Sequence, residues 1–472
     1  MTDQPWPGDA CSLVDAFRKG EITPSEALEA ALGAIESSGL NAFSHVAAED
    51  ARAAAAGADT SLPFGGVPIG VKELDIVAGW PETEASLVFA DRVAPRNSTM
   101  VDRLLGAGAV LTAQTTASEF GGVNYTHTRL HGTTGNPWNH DRTPGGSSGG
   151  TAAAVGGGLL TLGTAGDGGG SIRIPAGFTG TFGLKSTFGR IPRGPRPHHT
   201  PLTVVFGCIS RSVRDTARWF DVCNGFDPGD TLSLPRVSGW ERELGTHGAE
   251  LRGRRAAIVV DIGDAIVRPE VVHEVTAAAE ALMADVGLTR VDVAVRLPEA
   301  GFEWAMGNLV TLIGDLGDRY PECEPLFTPE IQFAVNVAFN RFDLTVAGAN
   351  EMFRVALNET MAEVFAQVDF VFAATNPDVA FNAAGPMATT VGERDLIAEF
   401  GFERALTNNG ALTMPANLAG NPAVSIPVGT VDGLPVGMQI IGRHHEEQLL
   451  LELALVAERE RPWPLVAPGS PH

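Results

Sequence analysis

The feature that most constrains this chain is a glycine-rich stretch over residues 144–185, which carries no charged side chain before Asp167. Its Gly-Gly pairs and frequent Ser and Thr are unlike a membrane-spanning helix, which needs about 20 predominantly apolar residues. Two serine sites within it, at residues 145–150 and 168–171, are flanked by glycine. Glycine lets the backbone approach a ligand closely and frees N–H groups to point at an anion. A serine in such a loop can attack a carbonyl group while those N–H groups stabilise the oxyanion.

Composition indicates a globular protein without a polyanionic partner. The chain has 472 residues, of which 44% are hydrophobic, as is typical of a soluble protein with a large core. Asp and Glu total 56 against 33 Lys and Arg, and no basic track is present, so we expect binding neither to nucleic acid nor to a membrane. The four cysteines are scattered and form no CxxC pair, which favours reduced thiols. The N-terminus lacks a basic segment followed by an apolar run, so we expect no signal peptide and a cytoplasmic location.

Strand and helix patterns alternate along the whole length, which predicts a large α/β layer structure. Neither a repeat nor a low-complexity linker divides the chain, so we expect a single domain over residues 1–472. Thr23-Pro-Ser-Glu26 forms a capping box and predicts a helix to about residue 37. Further helices are predicted at 8–20, 47–56, 98–105, 149–155, 269–286, 446–458 and over most of 301–365. Strands are predicted at 67–71, 109–114, 159–163, 204–209, 256–260, 368–373, 423–428 and 436–441.

Searches for nucleotide and metal motifs are negative. Segment 65–73 lacks the Gly-Lys-Ser/Thr of a phosphate-binding loop, and segment 166–171 ends in Ser where a dinucleotide fingerprint needs Gly. The histidines at 198–199 and 444–445 are adjacent pairs that cannot share a helix face, and no HExxH motif occurs. We therefore expect neither a metal ion nor an organic cofactor.

Lys72 stands at the end of the predicted strand 67–71, where an apolar run would bury it. A lysine at such a position ordinarily extends its ammonium group to solvent. The position alone therefore does not indicate catalysis.

The nucleophile-elbow pattern GxSxG is matched at residues 145–149 and again at 146–150. That elbow requires a β-strand before the serine, and Asp and His partners after it. The preceding Arg142-Thr-Pro144 is a poor central strand, and no histidine has an obvious triad context. An α/β-hydrolase-like esterase nevertheless remains an alternative.

A series of motifs occurs in one order along the chain, at 66–74, 119–120, 136–138, 145–150, 167–176, 180–185, 211–215, 414–425 and 433–441. Together these motifs resemble the amidase signature family of amidohydrolases. The resemblance covers nearly the whole chain and implies a large mixed twisted β-sheet with helices on both faces. It also implies a catalytic core at about 60–215, a variable substrate-pocket region at about 250–410 and a C-terminal return to the core sheet at about 411–460.

The resemblance also implies a catalytic triad of Lys72, Ser147 and Ser171, with a cis peptide bond before Ser147. Members of this family use no metal or organic cofactor. Ser148 would support the triad, and backbone N–H groups at Gly168, Gly169, Gly170 and Ser171 would form the oxyanion hole. Asp167 and Arg173 would frame the nucleophile turn, and we expect their role to be structural pairing.

The implied reaction is hydrolysis of a carboxylic acid amide to carboxylate and ammonia or amine, through an acyl-enzyme on serine. Departures from common family residues at 114, 116, 165, 166 and 186 leave the subfamily open. The substrate could be a linear amide or a cyclic amide of the nylon-oligomer type. Two other roles remain possible: the A subunit of a tRNA-dependent amidotransferase, and a non-catalytic scaffold of the same fold.

Substrate choice is expected to depend on the variable segments 120–135, 195–205 and 300–410. Short N-terminal helices favour a homodimer by the same resemblance. Five apolar residues are candidates for an acyl pocket and equally for the core: Phe120, Phe206, Trp304, Leu312 and Phe381.

Overall fold

A computed structural model describes residues 4–195 and 202–470. The histidine pair at 198–199 and most of the segment 195–205 lie outside the described residues, as do residues 1–3. Within the described ranges, no helix is long and apolar enough to cross a bilayer.

Eleven strands form one mixed sheet, which is the centre of the fold. In chain order they are β1 Phe43–Val46, β2 Pro68–Lys72, β3 Val110–Thr115, β4 Leu162–Asp167, β5 Phe182–Lys185, β6 Val205–Ser210, β7 Arg255–Ile258, β8 Thr289–Arg290, β9 Phe370–Ala374, β10 Ala423–Val431 and β11 Leu434–Gly442. Their order across the sheet is β1-β3-β2-β4-β6-β5-β10-β11-β9-β7-β8. The pairs β3–β2, β2–β4, β9–β7 and β7–β8 are parallel, and the other neighbours are antiparallel.

Helices cover the sheet. They are α1 Ala10–Lys19, α2 Pro24–Ser37, α3 Ala48–Ala56, α4 Thr99–Gly106, α5 Gly149–Gly156, α6 Arg173–Thr179, α7 Val213–Cys223, α8 Gly248–Leu251, α9 Pro269–Val286, α10 Gly301–Leu316, α11 Pro329–Arg341, α12 Leu344–Gln367, α13 Leu396–Phe400, α14 Phe402–Thr407, α15 Met414–Leu418 and α16 Glu447–Glu460.

Both faces of the sheet are covered, as the neighbouring residues Gly437 and Met438 on β11 demonstrate. Gly437 faces α6, since a Cβ added there would lie 2.8 Å from Gly177 Cα. Met438 instead lines a groove together with residues of α9 and α16. Because successive side chains of a strand point to opposite faces, α6 and the α9–α16 pair lie on opposite sides of the sheet. The α/β architecture with a large mixed sheet is confirmed.

The strand predicted at 159–163 was wrong in position, because the chain turns back after α5. The N–H groups of Leu159 and Leu160 both donate to Ala154 O, at 2.9 and 3.2 Å. These N–H groups are therefore not available to a sheet ladder, and the strand begins only at Leu162. The shift matters because the strand ends at Asp167, which the predicted bounds 159–163 would have left in the following loop.

The parallel pairing of β2 with β4 assembles the site. Gly70 pairs with Gly163, so the carboxyl ends of the two strands lie at the same edge of the sheet. Lys72 ends β2 and Asp167 ends β4, and every residue of both strands is buried. Helix α5 begins at Gly149, directly after Ser147 and Ser148, and α6 begins at Arg173, just after Ser171.

Candidate active site

Lys72 is buried, with only 2% of its surface exposed, although lysines seldom are. Its backbone N–H donates to Thr164 Oγ1 at 2.8 Å, which ties β2 to β4. Its side-chain nitrogen Nζ lies 2.8 Å from Ser147 Oγ and 2.8 Å from Ser148 Oγ. The amine therefore contacts two hydroxyl groups inside the protein and does not extend to solvent.

Burial lowers the pKa of Lys72 to about 8, because the charged ammonium loses its hydration. The carboxylates of Asp75, Asp167 and Glu84 act in the opposite direction and limit the decrease. A pKa in this range gives a useful fraction of neutral amine near pH 7, as a general base requires.

Asp75 lies in a polar network with Lys72 and was not predicted as a site residue from the sequence. It is buried, accepts a hydrogen bond from the Thr164 hydroxyl, and its pKa is raised to about 6 by burial. Thr164 thus receives the Lys72 N–H and donates to Asp75, so the three residues form one network. The only available signal was the position of an acid three residues after a lysine at a strand end.

The loop that carries Ser147 is held by close backbone contacts. The Gly146–Ser147 peptide bond is cis. Gly145 has a φ of +90°, and a Cβ added there would lie 2.7 Å from Pro175 Cα, so only glycine fits. Ser148 Oγ donates to Gly166 O at 3.3 Å and thereby joins this loop to β4.

Ser171 lies in the second glycine loop, whose shape is set by Asp167. The Asp167 carboxylate accepts the Gly170 N–H at 2.8 Å and the Ile172 N–H at 3.3 Å. The Gly170 N–H is therefore engaged within the loop. Of the four backbone N–H groups predicted as oxyanion donors, those of Gly168, Gly169 and Ser171 remain available to bind an oxyanion.

Two side chains from distant parts of the chain fix the carbonyl groups of this loop. Trp304 Nε1 donates to Gly168 O at 2.7 Å, and Thr413 Oγ1 donates to Gly169 O at 2.6 Å. Because N–H and C=O of a trans peptide point in opposite directions, these bonds also orient the N–H groups of Gly169 and Gly170.

Asp167 and Arg173 form a fully buried ion pair with additional polar partners. Arg173 Nε donates to Asp167 Oδ2 at 2.9 Å and its Nη2 to Oδ1 at 3.0 Å. Asn417 donates to Asp167 Oδ1 at 2.8 Å, and Gln439 accepts from Arg173. Burial acts to raise the pKa of Asp167, but the charge and hydrogen bonds of Arg173 outweigh it and hold the pKa below its usual range. The pair is a structural support beneath the glycine loop.

Lys72, Ser147 and Ser171 all line one cavity of about 200 Å³. Ser171 shares the cavity with Ser147, but none of the hydrogen bonds found among the described residues joins the two hydroxyl groups. Four of the five apolar pocket candidates line the same cavity: Phe120, Phe206, Trp304 and Leu312.

Phe381, the fifth candidate, does not line the cavity and packs edge-on against Tyr125 and Phe178, with ring centroids 6.0 and 6.2 Å apart. It is therefore a partly buried residue that packs against a small core cluster. Sequence reasoning also missed two acids that line the cavity, Glu84 and Asp315.

The cavity offers no histidine. None of the described residues that line it is His, and the nearby His131 binds Glu73 at 2.6 Å. No group of three or more His, Cys, Asp and Glu side chains within residues 4–195 and 202–470 is arranged to hold a metal ion.

A buried lysine in contact with serine hydroxyls, in a cavity without histidine, is the arrangement of hydrolases that pair serine with a lysine base. Comparison with known proteins makes the assignment more specific. The profile of the Amidase family matches residues 26–451, and the chain belongs to this family. It is an amide hydrolase of the amidase signature type.

Individual relatives agree with the family over nearly the whole length. The chain is 33% identical over 488 residues to the A subunit of glutamyl-tRNA(Gln) amidotransferase from Chloroflexus aurantiacus, covering 95% of each chain. It is 26% identical to a bacterial aryl acylamidase of the amidase signature family, with a TM-score of 0.87 and 97% of each chain covered. It is 27% identical to 6-aminohexanoate cyclic dimer hydrolase, with a TM-score of 0.85, covering 98% of this chain and 99% of the other.

Proposed function

We propose that this chain hydrolyses a linear carboxylic acid amide to carboxylate and ammonia or amine through an acyl-enzyme on Ser171. The observation that carries the proposal is the Lys72 amine, 2.8 Å from two serine hydroxyl groups beside a cavity that Ser171 also lines. We assign the base to Lys72, the proton relay to Ser147 and support of the amine to Ser148. The four cysteines, all free thiols, support a cytoplasmic location.

In the proposed acylation step, neutral Lys72 accepts the proton of Ser147 while Ser147 takes the proton of Ser171. Ser171 Oγ then forms a bond to the amide carbon, and the carbonyl oxygen becomes an oxyanion. Collapse of this intermediate breaks the carbon–nitrogen bond. Ser147 gives its proton to the leaving nitrogen and takes a proton back from the Lys72 ammonium, which becomes neutral again. Water activated through the same relay hydrolyses the ester and regenerates Ser171.

Backbone N–H groups would stabilise the oxyanion. Gly168, Gly169 and Ser171 supply the candidate donors, because the Gly170 N–H already binds Asp167. Loss of one such donor typically costs about 3–4 kcal/mol of transition-state stabilisation. The loop offers no room for side chains, since a Cβ at Gly169 would lie 2.7 Å from the Trp304 ring.

The test combines labelling with kinetics. A fluorophosphonate should label Ser171 in the wild type, and S171A should lose both the label and all amide hydrolysis. K72A should lower kcat by orders of magnitude while the circular dichroism spectrum stays native. The controls are S61A and K19A, two exposed positions outside the cavity. Full labelling of S171A, or unchanged kcat in K72A, would refute the assignment.

A second candidate is the glutaminase component of a tRNA-dependent amidotransferase, because the curated relative at 33% identity belongs to such an enzyme. Glutamine and small aliphatic, aryl and cyclic amides should be compared with the purified chain alone. Hydrolysis of small amides without glutaminase activity supports the free-standing linear amidase. Glutamine hydrolysis that appears only with a partner protein supports the second candidate.

We further propose a single domain with a catalytic core at about 60–215, a pocket region at about 250–410 and a return to the sheet at about 411–460. Helix α10 supports this division, because it lies in the second region and lines the cavity of the first. We keep a homodimer as part of the proposal, to be tested by light scattering.

A further inference from the structure

Helix α10 forms one wall of the cavity and brings polar side chains to it. Trp304, Asn308 and Thr311 line the cavity, because the three- and four-residue spacing of a helix places them on one face. Trp304 anchors the helix on the glycine loop, since its Nε1 donates to Gly168 O at 2.7 Å. The side chains that follow on the same face of α10 therefore border the space next to that loop.

The side-chain amide of Asn308 is held in one orientation. Its Nδ2 donates to Trp304 O at 2.7 Å, one turn earlier in the same helix. Because a carbonyl oxygen accepts hydrogen bonds and cannot donate them, only the nitrogen of the amide can occupy this position. The other atom, Oδ1, is therefore an acceptor with a fixed direction. It lies 3.9 Å from the point where a Cβ on Gly168 would be, beside the first residue of the glycine loop.

This acceptor is not used within the described part of the chain. Other polar side chains that line the cavity bind a neighbour: Lys72 contacts Ser147, and Asp75 accepts a hydrogen bond from Thr164. None of the hydrogen bonds found among the described residues reaches Asn308 Oδ1. A polar atom that faces a partly enclosed cavity gains most from a ligand that brings the missing donor, since an unmade hydrogen bond is costly there.

The geometry of the reaction decides which part of a substrate meets Asn308. In the proposed mechanism the leaving nitrogen faces Ser147, and the carbonyl oxygen faces the N–H groups of the glycine loop. Ser147 and Asn308 border different walls, since Ser147 Oγ lies 3.3 Å from the position of a Cβ on Gly121, whereas Asn308 borders Gly168. The third substituent of the scissile carbon, the acyl chain, is thus the part that Asn308 Oδ1 can reach.

We propose that Asn308 selects amides whose acyl part carries an N–H donor on the α-carbon, with an apolar group beyond it. The proposal rests on the proposed function of the same site and specifies its substrate class. A nitrogen on the α-carbon is two bonds from the scissile carbon, so its acceptor stands about 5 Å from that carbon. Val204, Phe206 and Leu312 line the same cavity and suit the apolar group.

Three uncharged amides that differ in one group test the proposal. In 2-anilinoacetamide the α-carbon carries an N–H, which is replaced by oxygen in 2-phenoxyacetamide and by a methylene group in 3-phenylpropanamide. All three share the phenyl ring and the primary amide, and release of ammonia reports hydrolysis. The selectivity is the ratio of kcat/KM for 2-anilinoacetamide to that for 3-phenylpropanamide.

The substitution N308L removes the acceptor and should lower this selectivity about tenfold, as expected for one hydrogen bond. The intrinsic reactivities of the two amides are the same for both enzymes, so they cancel when the two ratios are compared. The ratio for 2-phenoxyacetamide, which has no donor, should differ less than about twofold between wild type and N308L. N308A should behave as N308L does, which excludes blockage by the leucine side chain. The control N358L replaces an exposed asparagine of α12 and should retain the wild-type ratios.

The outcomes separate this proposal from the proposed function. Hydrolysis of 3-phenylpropanamide with a selectivity unchanged in N308L and N308A refutes the role of Asn308 alone. A selectivity lost in T311V but kept in N308L also overturns it, because the acceptor would then be the neighbouring hydroxyl. If no amide is hydrolysed, calorimetry decides the question. The affinity for 2-anilinoacetamide relative to 3-phenylpropanamide must be about tenfold higher in S171A than in the double variant S171A/N308L, and an equal relative affinity overturns the proposal.

Discussion

The Lys72 amine should impose a specific pH profile on hydrolysis of an uncharged amide. With a pKa of about 8, about a tenth of the amine is neutral at pH 7 and about half at pH 8. The value of kcat/KM should therefore rise about tenfold from pH 6 to 7, about fivefold from pH 7 to 8 and less than about twofold from pH 8 to 9. An uncharged substrate is needed because Glu84 titrates in the same range.

Asp75 allows this profile to be shifted in a defined direction. Its carboxylate stabilises the ammonium form of Lys72, so D75N should lower the pKa of Lys72 by about one unit. At pH 7 the neutral fraction then increases about fivefold, while the plateau rate falls because the base is weaker. Since the pKa of Asp75 is about 6, the wild-type and D75N limbs should converge below that pH.

The assay is kcat/KM for hexanamide from pH 5.5 to 9.5 at constant ionic strength, by release of ammonia. D292N is the control, because Asp292 is 98% exposed and its loss changes the net charge equally. The role of Lys72 as base would be refuted if kcat/KM of the wild type rose with the ordinary pKa of histidine. It would also be refuted if kcat/KM of D75N rose at the same pH as that of D292N.

Three further substitutions test the supports of the site. W304F removes the indole donor to Gly168 O and should lower kcat/KM about fivefold to tenfold with folding unchanged; an unaltered value would show that the bond does not position the loop. R173M leaves Asp167 charged and buried without its partner, so urea titration should report a loss of about 3–5 kcal/mol in the free energy of unfolding, and a loss below about 1 kcal/mol would contradict a supporting ion pair. T23A removes the cap of α2 and should cost about 1 kcal/mol in the same titration with kcat/KM intact, whereas altered kinetics would contradict a purely local role.

Local signals in the sequence predicted those elements whose ends are set by their own residues. The capping box at Thr23 is present, and α2 spans Pro24–Ser37. Asp432 and Gly433 both have positive φ and connect β10 to β11, as an Asp-Gly turn should. In both cases the deciding contacts lie within a few residues.

Elements that depend on distant contacts were harder to predict. Helix α6 contains Pro175 and Gly177, which lower helix propensity, yet it forms where it packs on β11 and where Arg173 at its start binds Asp167. Residues Lys72, Ser147 and Ser171 could be named through family resemblance, because their motifs are contiguous. Their proximity was not visible in the residues alone.

The acids of the cavity carried no local signal at all. Asp75, Glu84 and Asp315 look like ordinary surface carboxylates in the sequence. They line the same cavity only because β2, the loop after it and α10 converge there. Long-range convergence of this kind is decided by the packing of the whole domain.

The indole of Trp304 has a consequence for how this protein could acquire new substrates. A single side chain is both a wall of the binding space and a brace for the catalytic loop. A substitution of Trp304 would change kcat and substrate preference together, so neither property can change alone at this position. Directed evolution for new substrates should therefore retain Trp304 and vary Phe120 and Leu312. These two side chains line the same cavity and make no hydrogen bond to the loop that carries Ser171.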